Sequence, residues 1–596
     1  MTPMHRTGRM SNYDKFPVTD TGRAGGCVSG WTEVAASLRQ GEPRVIVVDC
    51  YPGVLDADLK QLAAALAPDE VIDAATALKA AAAIDEMVSP DLGDDPVFGR
   101  LTGLRMSDFF DERRLAQLRR RVMDATGRVL VVGVGAALVT RGDVLVHASM
   151  PRREIELRQN RGQIGNLGAD NIGTRAPLLY KRAYFVDWRV ADAHKQQLCA
   201  DLDFLLDTTG PHAPALVSAA DYFDALAAAT RRPFRVVPWF EPAPWGGRWM
   251  QKVCQLDPAI DNFGWCFDCV PEENSLLLGF GAETFEAPSN DVVVHAAEQL
   301  LGASVLRRFG AQFPIRFDFL DTMSGGNLSL QVHPLTDYIR EHFGMSFTQD
   351  ESYYLLDADE DAVVYLGVRE GIDREAMAAD LHAAHEGGAT FSADRYVNTW
   401  PARRHDHFLI PAGTVHCSGR DAMVLEISAT PYIFTFKLWD WDRLGLDGRP
   451  RPVHLDHGLR NIQWQRDTTF TRRELVNHVQ PLDAGAGWRS ERTGLHEAEF
   501  IDTHRHWFTG PVTHHTGDGV NVLNLVEGEQ VTVTSPAGAF APFVVHYAET
   551  FIVPAAVGDY VVAPSGAAVG SECATIKAFV RADQAASATD SLQTRR

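Results

Sequence analysis

Lysine is scarce in this chain. Only 8 of its 56 basic residues are lysines, the rest are arginines, and 78 acidic residues bring the formal charge to −22. That balance argues against a nucleic-acid backbone or an anionic membrane as partner, because both call for net or local positive charge. It leaves room for an anionic metabolite held by one or two side chains. No Gly-Lys dipeptide occurs anywhere, which excludes the phosphate-cradling loop G-x-x-x-x-G-K-[ST]. No apolar run approaches the roughly 18 residues of a membrane-spanning helix. The polar, glycine-rich residues 1–26 lack the apolar core of a secretory leader. Eight cysteines in 596 residues are too few and too scattered for a disulfide scaffold. Cys266 and Cys269 form the one close pair and read as reduced thiols, with no second CxxC to complete a zinc knuckle. A cytoplasmic protein is expected.

What is present is a chain 45% hydrophobic and long enough for several cores. Residues 1–25 are expected to be flexible. In 26–207, continuous apolar runs, VIVVD at 45–49 and VLVVG at 129–133, alternate with helical spacing at 57–66 and 111–123. That pattern predicts buried parallel strands in an α/β layer domain. Residues 208–232 read as a linker carrying a helical stretch at 219–230. From 233 to 482 short strand-like runs bounded by Gly, Pro and Asp predict a β-barrel or sandwich with helical insertions at 292–309 and 374–385. Residues 483–582 predict a second all-β unit, and 583–596 a frayed tail.

The densest chemical signal is LSLQVHP at 328–334. Residues two apart on a strand share a face, so Gln331 and His333 project together. Asp350-Glu351 opens the next apolar run, and LIPAGTVH at 409–416 ends in His416. One amide oxygen, one carboxylate and two imidazoles without a thiolate suit Zn²⁺, and also Fe, Mn or Co.

The joint pattern of QVHP, then Glu351, then PAGTVH, with WGG at 245–247 and WDWDR at 439–443, resembles type I mannose-6-phosphate isomerases of the cupin superfamily over about 238–580. The resemblance implies two cupin-type β-barrels of jelly-roll form. It also implies one Zn²⁺ per chain, or another divalent metal, held by Gln331, His333, Glu351 and His416. The implied activity is aldose–ketose isomerisation of mannose 6-phosphate and fructose 6-phosphate through a cis-enediol. Glu426 falls where the family has a carboxylate beside the metal and is a candidate either for proton transfer or for orienting the metal-binding residues.

Two positions depart from the family. An arginine in a Thr-Tyr-Arg context is replaced by Lys437 in FTFK at 434–437, and a lysine two residues before the metal-binding glutamate is replaced by Gln349. Lysine lacks the bidentate fork of arginine, yet on an aromatic, apolar strand Lys437 reads as a second catalytic group. These changes keep two alternatives open: an isomerase of an unphosphorylated or differently substituted sugar, and a non-catalytic sugar-sensing protein. The partner is in each case a sugar phosphate or sugar, and a homo-oligomer is left open.

The N-terminal region resembles the uridine-kinase-like domain fused to some longer homologues, on DCYPG at 49–53, MPRRE at 150–154 and YKRAYFVDW at 180–188. It implies a P-loop-kinase-like layer without the P-loop lysine, and so a structural, oligomerising or ligand-sensing part. Arg152, Arg153, Lys181 and Arg182 are expected to be helix-surface charges. The pair His504/His506 and His514-His515 are expected to be exposed strand histidines, while His405 and His407 are expected to line the pocket mouth.

Overall fold

Val45, Val47, Val129 and Val131 face one way, and Ile46, Val48, Leu130 and Val132 face the other. Each of these strands is thus buried on both sides, as their unbroken apolar runs require. The computed structural model, which describes residues 9–210, 213–429, 434–494, 496–497 and 499–581, places them in a seven-stranded sheet. Its order is Cys27–Ser29, Ala215–Ser218, Phe204–Asp207, Val144–Ser149, Val45–Cys50, Val129–Gly133, Glu70–Asp73. The last five are parallel, and the first two are added antiparallel. Helices Trp31–Leu38 and Asp56–Leu66 cover one face. The other face shares a continuous core with the β-rich part of the chain, through Phe185 and Trp188 to Phe317 and Phe434.

Residues 208–232 are therefore not a linker. Ala215–Ser218 is a strand of this sheet, and Ala219–Ala229 is a helix capped by the Ser218 hydroxyl. Nor are residues 9–25 loose. Val18–Asp20 pairs in parallel with Leu277–Gly279, and Tyr13 is buried with its hydroxyl on Asp268. Backbone pairing to an open sheet edge, which leaves no apolar pattern in the sequence, accounts for that order. Residues 1–8 and 583–596 lie outside the described residues.

The middle region is built from two facing sheets. One has the order His407–Ile410, Glu351–Ala358, Ala422–Ser428, Arg316–Asp321, Trp265–Cys269, Trp239–Glu241. The other runs Val397–Pro401, Val363–Val368, His416–Ser418, Leu330–Val332, Phe436–Trp439. Helix Arg374–His385 forms as its spacing predicts, capped by Asp373. The helical stretch expected over 292–309 divides into Asn290–His295, Ala297–Leu301 and Ala303–Phe309. Gly302 breaks it with φ of 82°, where a Cβ would collide with the Asp518 carbonyl. The C-terminal sheets, six and four strands, enclose a separate core of Leu523, Val531, Phe551 and Tyr560. All eight cysteines are unpaired, Cys266 and Cys269 included. No helix among the described residues is long and apolar enough to cross a membrane.

Candidate metal centre and substrate cavity

Gln331 lies directly opposite His416 on one side and Lys437 on the other, in the ladder that joins Leu330–Val332 to its neighbours. Glu351 opens a strand of the facing sheet. Closing the two sheets therefore brings four side chains, 85 residues apart at the extreme, to one point. His333 Nε2 stands 3.1 Å from Glu351 Oε2, and His416 Nε2 2.9 Å from Glu351 Oε1. Gln331 Nε2 is 3.2 Å from His416 Nε2. His333, Glu351 and His416 are fully buried.

The outer hydrogen bonds bear on what this cluster could hold. His333 Nδ1 donates to the Phe434 carbonyl at 2.8 Å, and His416 Nδ1 donates to the Thr414 carbonyl at 2.8 Å. Each imidazole thus carries its proton on Nδ1 and turns an Nε2 lone pair inward, as metal-ligating histidines do. His333 Nε2 and Glu351 Oε1 form no hydrogen bond of good geometry although both are buried, a costly arrangement without a further partner. A divalent cation would supply that partner. The Gln331 amide, whose Oε1 now accepts from Ser329 Oγ at 3.0 Å, presents its oxygen to the cluster on a 180° flip. Two imidazole nitrogens and two oxygens fit Zn²⁺ and its neighbours.

Electrostatics follow the same geometry. Burial would raise Glu351, but His333 and His416 outweigh it and hold the carboxyl well below the usual range. Burial would lower His333, and Glu351 outweighs it; His416 stays lowered by burial. Glu426, buried between Asp318 and Tyr353 on the adjacent strands, is raised well above its ordinary value by burial, then by Glu351 and Asp318. Half-buried Lys437 is lowered to about 7 by burial and by Arg451, with Asp440 opposing.

Above this centre lies a cavity of about 660 Å³, whose walls include Gln331, Gln349, Glu426 and Lys437. Sequence reasoning brought together Gln331, His333, Glu351, His416, Glu426 and Lys437. It missed Arg316 and Asp318, which share the cavity wall. Their signal was the polar alternation of RFDFLD at 316–321, which puts Arg316 and Asp318 on one strand face. Gln349 donates to Glu351 Oε2 at 2.9 Å and accepts from the Phe434 N–H at 3.0 Å, so this departure from the family pattern is a bridge within the site.

Several expectations are corrected. His506 and His514 are buried rather than exposed. His514 alternates with exposed Thr513 and His515, and His506 lies between Ser490 and Thr575 in its ladder, so no apolar pattern marked the face that turns inward. His405 and His407 do not line the cavity; His405 meets the Tyr354 hydroxyl at 2.8 Å and Glu527 at 3.4 Å. Arg152, Lys181 and Arg182 are likewise buried and not surface charges. Arg152 pairs with Asp192 at 2.7 Å and Glu272 at 3.0 Å, and Arg182 with Asp85 at 2.6 Å. Their helices are sandwiched between the α/β sheet and the barrel.

Comparison with known proteins matches residues 30–231 to a domain of unknown function, DUF8485. Mannose-6-phosphate isomerase of Streptococcus mutans is 24% identical over 274 residues, 45% of this chain and 76% of that protein. Mannose-6-phosphate isomerase ManA of Bacillus subtilis is 29% identical over 174 residues, 29% of this chain and 51% of that protein. The crystal structure of the Bacillus subtilis mannose 6-phosphate isomerase covers 59% of this chain and all of its own, at 17% identity and a TM-score of 0.46. The chain is thus related, over part of its length, to mannose-6-phosphate isomerases, and that kinship supports an isomerase.

Proposed function

We propose that the chain is a metal-dependent aldose–ketose isomerase that interconverts mannose 6-phosphate and fructose 6-phosphate through a cis-enediol. The observation that carries this reading is the pair of imidazoles whose Nδ1–H groups are tied to backbone carbonyls, so that both Nε2 lone pairs converge on Glu351. Gln331, His333, Glu351 and His416 would hold one Zn²⁺ or a similar divalent ion. Such an ion supplies Lewis-acid polarisation of neighbouring carbonyl and hydroxyl oxygens. Glu426, beside the centre and in the cavity wall, is the group we assign to moving a proton between adjacent carbons; its raised proton affinity suits that exchange. Lys437 stands on the other flank of Gln331 and donates to the oxygen on which charge develops. The relatives' names support the substrate pair.

A second reading rests on the cavity's charges. Its three arginines are each engaged with an aspartate: Arg175 with Asp447 at 2.7 Å, Arg451 with Asp440 at 2.9 Å, and Arg316 with Asp318. A phosphate must compete with those carboxylates, which favours an unphosphorylated or differently substituted sugar. A coupled isomerase assay on a panel of sugars and sugar phosphates, with and without chelator, separates the readings. Chelator-sensitive turnover of mannose 6-phosphate well above mannose is expected. Equal or greater turnover of mannose selects the second reading, and no turnover of any sugar overturns both.

For the N-terminal unit we propose that it does not transfer phosphoryl groups. Its first parallel strand, Val45–Cys50, is the middle one of its five parallel strands. Ligands bind such sheets in the crevice at the carboxyl ends of the strands. Here residues of the unit itself occupy positions at those strand ends. His194 Nε2 sits 3.1 Å from Asp49, Tyr51 donates to Asp192 at 2.8 Å, and a Cβ on Gly53 would come within 2.8 Å of Ile155.

A further inference from the structure

Phe98 belongs to the α/β unit by sequence and to the barrel by contact. It is carried on the loop 93–105 that follows helix Ala81–Leu92. The loop is stiff: Asp95 Oδ1 accepts from the Val97 and Phe98 N–H groups at 2.7 Å, and Arg100 N–H donates to the Asp91 carbonyl at 2.6 Å. Buried Lys181 donates to the Asp95 carbonyl, and Thr102 N–H to the Phe185 carbonyl at 3.0 Å. From this base the Phe98 ring enters the barrel, 2% exposed. It stacks on Phe434 at 5.2 Å between centroids and 17° between planes, and has Phe436 and Phe343 at 5.3 and 5.6 Å.

Phe434 is the residue whose carbonyl holds His333 Nδ1 and whose N–H is held by Gln349, itself on Glu351. An aromatic stack on Phe434 therefore bears on both the orientation of His333 and the placement of Glu351. The same unit adds Val97, Tyr180 and Arg175 to the cavity wall.

We propose that the N-terminal α/β unit is a working part of the isomerase site: Phe98 is a positioning residue that sets Phe434, and through its carbonyl the metal-facing ring of His333. This rests on the metal-centre reading above. A substrate-phosphorylating partner domain would not need such an intrusion, and a unit serving only as a scaffold would not reach the outer hydrogen bonds of the centre. Groups that orient metal-ligating histidines typically change metal affinity by about 10–100-fold when disturbed.

The test uses the full chain and measures Zn²⁺ affinity by chelator competition, together with kcat and KM for mannose 6-phosphate. Phe98→Ala is expected to weaken Zn²⁺ about tenfold, and Phe98→Leu, which keeps most of the volume, about threefold. Both should lower kcat more than they raise KM, with Leu recovering part of the Ala loss. Ile46→Ala, in the same unit but on the opposite face of its sheet, lowers melting temperature yet leaves Zn²⁺ affinity and kcat within about twofold. Phe98→Ala and Phe98→Leu with wild-type Zn²⁺ affinity overturn the proposal. Should the Ala variant fail to fold, the Leu variant alone decides: affinity equal to wild type overturns it, and a loss absent from Ile46→Ala supports it. If wild type binds Zn²⁺ but turns over no sugar, the isomerase reading fails while the affinity arm still decides the role of Phe98.

Discussion

Asp318 and Glu426 stand opposite each other on adjacent antiparallel strands, two buried carboxylates on one face with the Arg316 guanidinium on Asp318. Burial pushes Asp318 up to about 7 and raises Glu426 well above its usual range. One cation between two carboxylates leaves a proton to share, the condition a proton-transfer group needs. Glu426→Gln is expected to lower kcat by about 10²–10⁴-fold while metal content stays at the wild-type level. Loss of metal in this variant would assign Glu426 to ion binding instead.

Among the described residues, Glu351 is the carboxylate that joins His333 and His416 in one cluster. Glu351→Ala should reduce bound metal to a small fraction of wild type and activity by at least about 10²-fold, both recoverable in part at high metal concentration. Metal analysis of the purified variant beside the coupled assay checks this.

Lys437 is lowered to about 7 by burial and Arg451. A base whose folded pKa is depressed costs stability below that pKa, and the cost fades as pH rises from about 7 towards the unfolded value near 10.4. Lys437→Met should therefore melt higher than wild type at pH 6 while losing about 10²-fold in kcat/KM. Lys437→Arg should keep part of the activity. A variant that is both less stable at pH 6 and fully active would contradict the assignment.

His407 and His506 are each lowered to about 3, first by burial and then by Arg505 and Lys577 respectively. Stability from keeping them neutral is present above the unfolded value near 6.5 and is lost as pH falls towards 3. At pH 5 the cost is about 2 kcal/mol for each histidine. Urea unfolding at pH 7 and pH 5 should show the loss, and His506→Gln should reduce it.

Arg235 joins three stretches of chain. It meets Glu549 at 2.6 Å, the Asp14 carbonyl at 2.9 Å and Asp268 at 3.8 Å, nearly all out of solvent. Arg235→Met leaves two buried carboxylates short of their cation and should cost about 3–5 kcal/mol, read as a fall in melting temperature.

Much of the candidate centre was legible because the residues that converge there obey local rules. Gln331 and His333 share a strand face by the period of two, and Glu351 and His416 open strands at the ends of recognisable turns. The runs at 45–49 and 129–133 announced buried parallel strands for the same reason, each residue having apolar neighbours on both sides. Other features had no local signature. Arg316 and Asp318 stood in plain alternation but acquire meaning only when Glu426 pairs beside them. The burial of His407, His506 and His514 depends on which face the closed sheets turn inward, and residues 9–25 are ordered by backbone pairing that any sequence can make.

The sequence by itself determined the donor set, the strand on which each donor sits and the acidic, lysine-poor background, because these depend on residue type and on periods of two and 3.6. Only the tertiary structure decided that Asp49 and Tyr51 at the ends of the α/β strands are engaged by His194 and Asp192, that the cavity's arginines are already paired, and that Phe98 reaches Phe434 across 335 intervening positions. Those outcomes depend on how separately folded sheets share one core, and no local pattern in the chain encodes a distance between them.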